Sequence, residues 1–432
     1  MLKNISIIFA SLILFACSSS KVIRDEGGAE SYTTDISEIG ISDSRSFRVG
    51  MLLPLTGADS KYGIGMKNAS LLAINDVKNP NLVIQYYDTA STPAGARVAI
   101  KNATAQRAQL ILGPLKSTEV SAISNETIYQ GIPVIAFSTS PEVLQPTIYT
   151  LGLLVDEQID RIMTYAVQKG HRKFALLLPD NNTGISVARS AVKSANKNNV
   201  AIKLIGFYPP GISDFSSLAK QITDSGIDYD AMLIPEGGIT LTAASAMFAY
   251  YDKAYPDVQF LGSSMWEAGI SYREGSLQQS IYPSLTKARG SNFVTQYYSM
   301  FGDKPSSLYT LAYDAVILAD KLSKSPHESL SESITSPTGF QGLNGKVRFF
   351  EDGTNQHSLD IVSISSQGGK VVDSGDRYFE TVSQSLEAID VDTIYSTPRI
   401  FGKDSSLAQI LIYGKSIDFV APQSSSSVVN YE

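Results

Sequence analysis

From residue 47 to residue 382 short apolar runs alternate with longer amphipathic ones. Arg48–Leu53 reads as a strand that runs into the turn Pro54-Leu55-Thr56-Gly57. A helix is predicted over Gly63–Val77, with Leu71, Leu72, Ile74 and Val77 as its apolar face. Strands follow at Leu82–Tyr87, Gln109–Gly113 and Pro133–Phe137, separated by helices over Pro93–Gln106 and from about Thr118. Runs such as Leu110-Ile111-Leu112 have no polar face, as expected of strands covered on both sides in a parallel sheet. A second series starts after Gly152: helices near Glu157–Lys169, Ile185–Asn198, Phe215–Asp224 and Leu241–Tyr250, and strands at Phe174–Leu178, Ile202–Phe207, Ala231–Ile234 and Gln259–Gly262. The chain is therefore read as α/β, with two such units in tandem. A helix near Leu311–Leu322 and a strand at Lys346–Phe350 are expected to cross back between them.

The N-terminus has a different pattern. An apolar run, Ile5 to Ala16, follows Lys3 and ends at Cys17, the one cysteine of the chain. A charged start, a short apolar core and small residues before the cut describe a secretory signal. The run falls short of the about 20 apolar residues that a membrane span needs. With its terminal cysteine, Leu14-Phe15-Ala16-Cys17 resembles the lipobox of bacterial lipoproteins. That resemblance implies cleavage of residues 1–16 and acylation of Cys17, so that the protein is anchored to a membrane rather than spanning it. Ser18, where inner-membrane lipoproteins of enteric bacteria carry Asp, favours the outer membrane by the same resemblance. Residues 17–46 read as a flexible tether facing the periplasm. Residues 383–432 read as a Ser-rich tail, largely disordered, with Ile394 and Ile410-Leu411-Ile412 as candidates for a short docked element.

Composition narrows the partners. The chain is 43% hydrophobic and 18% charged, with a net charge of −7. No basic block lies in the folded region, which argues against nucleic acid as a partner. Past Cys17 there is no thiol, and the 3 histidines (His171, His327, His357) lack ligand spacing; no metal or cofactor is expected. Gly63-Ile64-Gly65 lacks the third glycine of a dinucleotide fingerprint and reads as a packing feature. Ser-x-x-Lys occurs at 190–193 and 194–197 without a Lys-Thr-Gly box, so a penicillin-recognising serine enzyme is not supported. No enzymatic activity is expected.

Ligands of open α/β sheets bind beyond the carboxyl ends of the strands. The loops that matter are therefore Pro54–Tyr62, Gly113–Thr118, Phe137–Pro141, Pro179–Gly184, Pro235–Gly238 and Ser263–Glu267.

Several of these loops carry a resemblance. Val49–Gly57, Leu110–Leu115, Gly131–Ser138, Tyr313-Asp314-Ala315 and Gly342–Phe349 resemble, in order and spacing, the leucine-binding-protein family. The resemblance covers about residues 47–375. It implies the two-lobed type I periplasmic-binding fold, each lobe a mostly parallel sheet flanked by helices, closing on a ligand. In those terms lobe 1 is expected at about 47–152 plus 283–325, and lobe 2 at 153–282 plus 326–382. A narrower resemblance lies in Gly170–Ala175, Leu233–Gly238 and Trp266, which are similar to alphaproteobacterial lipoproteins named penicillin-binding protein activators.

Receptors of this fold hold an amino acid's carboxylate with hydroxyls and N–H groups of the first lobe. Ser117 and the pair Thr139-Ser140 stand where those groups are expected; the alternative is that they only cap helices. The second half of the clamp departs from the family's pattern. Thr183 replaces a tyrosine, and Glu236 and Glu267 are the candidates for the acid that meets the ammonium group. Glu236 could equally be a solvated loop acid. Trp266 could line the cleft or fill a core. His171 reads as a surface residue. Two functions follow from the resemblance. One is a non-enzymatic regulator of peptidoglycan synthesis that contacts a penicillin-binding protein. The other is a receptor handing an amino-acid-like ligand to an ABC transporter permease. The narrow motifs and the altered clamp favour the first.

Overall fold

The computed structural model describes residues 46–267, 269–286, 291–325, 329–382 and 399–401. The signal, Cys17, all but the last residue of the tether and most of the tail lie outside them. The first lobe is built from β1 (Phe47–Leu53), α1 (Ser60–Val77), β2 (Leu82–Asp88), α2 (Pro93–Ala105), β3 (Leu110–Leu112), α3 (Ser117–Gln130), β4 (Val134–Ala136) and β5 (Ile148–Thr150). Its five strands form a parallel sheet in the order β2-β1-β3-β4-β5. Side chains alternate between its faces. Val49, Met51 and Leu53 enter the core under α1, while Leu52 enters the one under α2 and α3.

The second lobe follows with α4 (Val155–Gln168), β6 (Lys173–Pro179), α5 (Asn182–Lys197), β7 (Ala201–Tyr208), α6 (Ser216–Asp224), β8 (Ala231–Leu233), α7 (Gly238–Tyr250), β9 (Gln259–Leu261), α8 (Gly269–Arg273) and β10 (Ile281–Ser284). The chain then runs through α9 (Phe293–Phe301), α10 (Ser307–Ser323), α11 (Leu330–Ile334), β11 (Phe340–Gly342), β12 (Gly345–Phe349) and β13 (Asn355–His357). It ends with β14 (Asp360–Ser365), β15 (Gly368–Asp373), α12 (Gly375–Val382) and β16 (Arg399–Phe401). The eight-stranded sheet has the order β15-β14-β10-β9-β8-β6-β7-β16. It is parallel except where β14 pairs with β10 and β15. Phe174, Leu176 and Leu178 face α4 and α5, and Ala175 and Leu177 face the opposite core. This is the two-lobed, mostly parallel α/β architecture expected.

The residues differ from expectation in four places. Helix α1 starts at Ser60, and Leu71 is 40% exposed, so the buried face is Gly63, Gly65, Met66, Ala69, Leu72 and Ala73. Small residues interrupt that face where α10 packs against it. A Cβ on Gly65 would stand 2.2 Å from the Tyr309 ring, and one on Gly63 would stand 2.1 Å from the Pro54 carbonyl oxygen. The Gly-x-Gly thus serves helix–helix and helix–turn packing. Second, β10 puts Pro283 and Ser284 in the second lobe's sheet, so the chain leaves that lobe slightly later than 282. Third, Ile334, Phe340, Val347 and Phe349 share the core of β1 and α1. The return to the second lobe therefore falls near 355–360, not at 326. Fourth, a docked tail element is present at Arg399–Phe401; the apolar pieces 394 and 410–412 lie outside the described residues.

The crossings are stitched together. The Asn355 amide donates to the carbonyl oxygens of Thr150 and Gly152, the latter at 2.9 Å. His357 is 3% exposed; its Nδ1 lies 3.0 Å from Glu157 Oε2, and its backbone N–H also donates to Glu157. Arg161, fully buried, donates from Nε to the Leu359 carbonyl at 2.8 Å and pairs with Asp373 at 2.5 Å. The spacing of the histidines gave no hint of this.

Candidate functional site: the cleft between the lobes

On the first lobe, the loops after β1, β2 and β3 form one hydrogen-bonded rim. Asp88, closing β2, accepts from Leu55 N at 2.8 Å, Thr56 N at 3.1 Å, Thr56 Oγ1 at 2.6 Å and Ala90 N at 2.8 Å. Ser91 Oγ donates to the Thr56 carbonyl at 2.9 Å and accepts from Asp59 N at 3.0 Å. Lys116 Nζ reaches Asp59 at 2.8 Å and the Ser91 carbonyl at 3.3 Å. Gly113, at φ +89°, is needed because a Cβ there would lie 2.2 Å from the Leu52 carbonyl oxygen.

Ser117 is the first residue of α3 and is half-buried; Lys116 holds the cap position, with no side-chain cap bond. Thr139 is exposed, and Ser140 precedes a short 3₁₀ turn that it does not cap through its hydroxyl. The helix-capping alternative for these residues is therefore not what the structure shows. Ser138 is the buried hydroxyl here, accepting from Ser140 N at 3.1 Å. A residue missed from the sequence is Glu119, fully buried in the first turn of α3. Its carboxylate lies beside the Lys116 backbone N–H and the Thr89 hydroxyl without closing a regular hydrogen bond to either, and burial raises its pKa. It stands three residues past the cap, but the cap is Lys116 and not Ser or Thr, so no capping box marked it in the sequence.

On the second lobe, Asn181 caps α5 by accepting from Gly184 N at 3.1 Å. This leaves Thr183 exposed on the first turn. Glu236 is half-buried beside the buried Tyr208 hydroxyl; burial raises its pKa, which the tyrosine only partly offsets. Ser263 Oγ donates to the Pro235 carbonyl at 2.8 Å, and Ser264 N donates to Gln158 at 2.9 Å, fixing the loop before Glu267. Trp266 is fully buried, and its indole N–H donates to the Ile234 carbonyl at 3.0 Å. Its ring lies over Gly262, where a Cβ would stand 2.1 Å away. Trp266 is thus a core residue and offers the cleft no surface. His171 is 23% exposed in its side chain and 3.6 Å from Asp230, at the surface turn expected. Ser190 and Ser194 bond to Asp156 and Asp160 of α4.

Between the lobes lies a cavity of about 520 Å³, within the size range of small-molecule sites. The second lobe contributes Ser264, Met265, Glu267 and Tyr272, and the crossing contributes Leu285. The first lobe contributes Phe293, Val294, Pro305, Ser306, Ser307, Thr310 and Asn344. Among the described residues Glu267 is the one ionisable acid or base of this lining other than a tyrosine, and Ser284 Oγ donates to it at 3.1 Å. Thr310 and Asn344 are held from behind. Asn344 Nδ2 donates to Thr310 Oγ1 at 2.8 Å and to Asp314 at 2.7 Å, and Asp314 also accepts from the Leu343 and Asn344 backbone N–H groups. Burial pushes the Asp314 carboxyl up to about 6. Of the residues singled out from the sequence, Glu267 alone lines this cavity; Ser117, Thr139, Ser140, Thr183 and Glu236 lie on rim loops outside its lining. Among the described residues no group of His, Cys, Asp and Glu could hold a metal ion, and no helix is long and apolar enough to cross a membrane.

Comparison with known proteins places this architecture. The sequence pattern of the periplasmic binding protein family matches residues 46–370. The chain belongs to that family. It is 22% identical over 224 residues to an uncharacterised protein of Rickettsia prowazekii, covering 52% of this chain and 58% of that one. It is 22% identical over 205 residues to a Leu/Ile/Val-binding protein of Rhizobium johnstonii, covering 44% and 56%. The chain thus spans less than two thirds of either relative. Among solved structures, a periplasmic ligand-binding protein of a branched-chain amino acid ABC transporter from Burkholderia xenovorans superposes with a TM-score of 0.62. That match has 15% identity and covers 79% of this chain and 98% of the other. A branched-chain amino acid substrate-binding protein from Streptococcus pneumoniae, in complex with isoleucine, gives 0.54 at 17% identity, covering 76% and 99%. These likenesses share the fold.

Proposed function

We propose that the protein is the solute-binding receptor of an ABC-type uptake system and takes a small ligand with a protonated amine and an apolar body. The observation that carries this is the lining of the cavity between the lobes. One carboxylate, Glu267, faces apolar walls from Met265, Leu285, Phe293 and Val294, with hydroxyls at Ser306, Ser307 and Thr310. Among the described residues no lysine, arginine or histidine is in that lining, which favours a cationic or donor end of a ligand there. Leu/Ile/Val-binding relatives fit this chemistry. Ser117, Thr139 and Ser140 are the proposed contacts for an acidic end of the ligand, on the rim of the first lobe. The protein acts by binding, without catalysis, held at a membrane by lipid on Cys17 and docking on a transporter permease.

The regulator of peptidoglycan synthesis is the second reading, favoured by one observation: Thr183 is exposed where the amino-acid clamp has a tyrosine. A thermal-shift screen of leucine, isoleucine, valine, benzoate and muropeptides separates the two. Binding at a hundredfold excess over Kd stabilises by about 2.7 kcal/mol. A shift with amine-bearing amino acids and none with benzoate supports the receptor. Co-purification with a penicillin-binding protein, with no shift from any small molecule, overturns it.

A further inference from the structure

The family match ends at residue 370, yet the second lobe's sheet continues past it: its outermost strand, β16, is Arg399–Phe401. It pairs in parallel with β7, aligning Arg399 with Leu204, Ile400 with Ile205 and Phe401 with Gly206. An unpaired edge in a sheet covered on both faces is an open template for another strand. Phe401 stands in register with Gly206, whose missing Cβ lets Ile222 and Leu177 pack over the strand, at 2.9 Å and 3.3 Å from where that Cβ would be. Phe401 is 9% exposed and joins the core of Phe215, Leu218 and Ile222. The Arg399 guanidinium lies 5.3 Å from the centre of the Phe401 ring. Residues 383 to 398 connect α12 to β16; at about 3.3–3.6 Å per extended residue they reach roughly 50 Å or more. Strand β16 lies at the opposite edge of the sheet from β15, so this reach lets the chain supply the strand itself.

We propose that the outer edge of β7 is a receiving site for an extended segment of aliphatic–aromatic pattern, and that residues 399–401 of the same chain occupy it as a latch. The region beyond the family domain then has a docking role: it seals the second lobe's edge against foreign strands. Among the described residues three, Arg399–Phe401, hold the latch, and the site accepts the same sequence offered in trans once the chain's own strand is dislodged.

Hydrogen exchange read by mass spectrometry on the full chain and on Phe401→Glu tests this, with a fluorescent peptide spanning residues 395–405 as probe. In Phe401→Glu, exchange over 201–208 should quicken by about tenfold or more, since the edge opens without global unfolding. The labelled peptide should bind that variant saturably and leave the unsubstituted chain unlabelled, and a peptide carrying the same Phe401→Glu change should not bind. Phe401→Ala serves should the first variant lose its circular-dichroism signal. Unchanged exchange in both variants overturns the proposal. So does equal peptide binding by the unsubstituted chain, or β7 protection that appears only in a dimer fraction on size exclusion, which would make the occupant a second copy.

Discussion

Replacing Trp266 with phenylalanine separates the packing role of this residue from a ligand-contact role. Trp266 is fully buried, and its indole N–H satisfies the Ile234 carbonyl at 3.0 Å. Phenylalanine keeps most of the apolar contact and removes the donor. A buried carbonyl left without a partner costs about 1–3 kcal/mol. The smaller ring also leaves a void of roughly 40 Å³, which at about 24 cal/mol per Å³ adds about 1 kcal/mol. Trp266→Phe should therefore lose about 2–4 kcal/mol, which lowers Tm by about 4–16 °C for a lobe of this size. Calorimetry on the ligand-free protein measures the loss, and isothermal titration measures ligand affinity at a temperature where the variant is folded. The affinity should stay within about threefold, under 0.7 kcal/mol at 1.4 kcal/mol per tenfold. A variant that melts within about 1 °C of the parent yet binds about tenfold more weakly would refute the reasoning, because it would place the indole in the site and not in the core.

Two further outcomes follow from the geometry and a third from the proposed lipid anchor. Gly65→Ala puts a methyl group against the Tyr309 ring at 2.2 Å, so it should destabilise the first lobe by about 1–3 kcal/mol in denaturant unfolding. Asp314 has a folded carboxyl pushed up to about 6 from an ordinary 3.8. The folded state thus holds its proton more tightly than the unfolded state, and its contribution is full below about pH 4 and lost as pH rises through 6. The stability difference between the parent and Asp314→Asn should shift by roughly 3 kcal/mol against the parent across that window, at 1.36 kcal/mol per pH unit; a flat difference in urea unfolding contradicts it. The proposed lipid on Cys17 is tested by metabolic labelling with a palmitate analogue, which should mark the expressed protein and should vanish in Cys17→Ser.

The strand pattern was legible because buried parallel strands are apolar throughout, as at Leu110-Ile111-Leu112 and Phe174–Leu178. The rim loops followed from the rule that open sheets bind ligands at the carboxyl ends of their strands. What escaped the sequence is set by tertiary contact. Leu71 has the helical period of a core residue, but α10 crosses α1 on the face of Gly65 and leaves Leu71 in solvent. Strand β12 has the alternation of either lobe, and only the packing of Val347 and Phe349 against the first core assigns it. His357 carries no local motif; its bond to Glu157 joins residues 200 positions apart. Phe401 lay in a stretch whose composition reads as disordered, yet it pairs beside β7 and joins the core of Phe215, Leu218 and Ile222. For the site, Glu267 was visible as a loop acid after a predicted strand. Asp314, in the family-like Tyr313-Asp314-Ala315, was visible only as a landmark, and its support of Thr310 and Asn344 is a matter of folding.

The central claim is that the cavity between the lobes binds a small amine-bearing ligand through Glu267. Isothermal titration of the parent and of Glu267→Gln with leucine, isoleucine and valine tests it most directly. A charge-assisted hydrogen bond is worth about 1.5–3 kcal/mol. The account predicts saturable binding of one or more of these by the parent, and about ten- to hundredfold weaker binding by Glu267→Gln. Equal affinity in the two proteins, or no heat from any amine-bearing ligand, would contradict it.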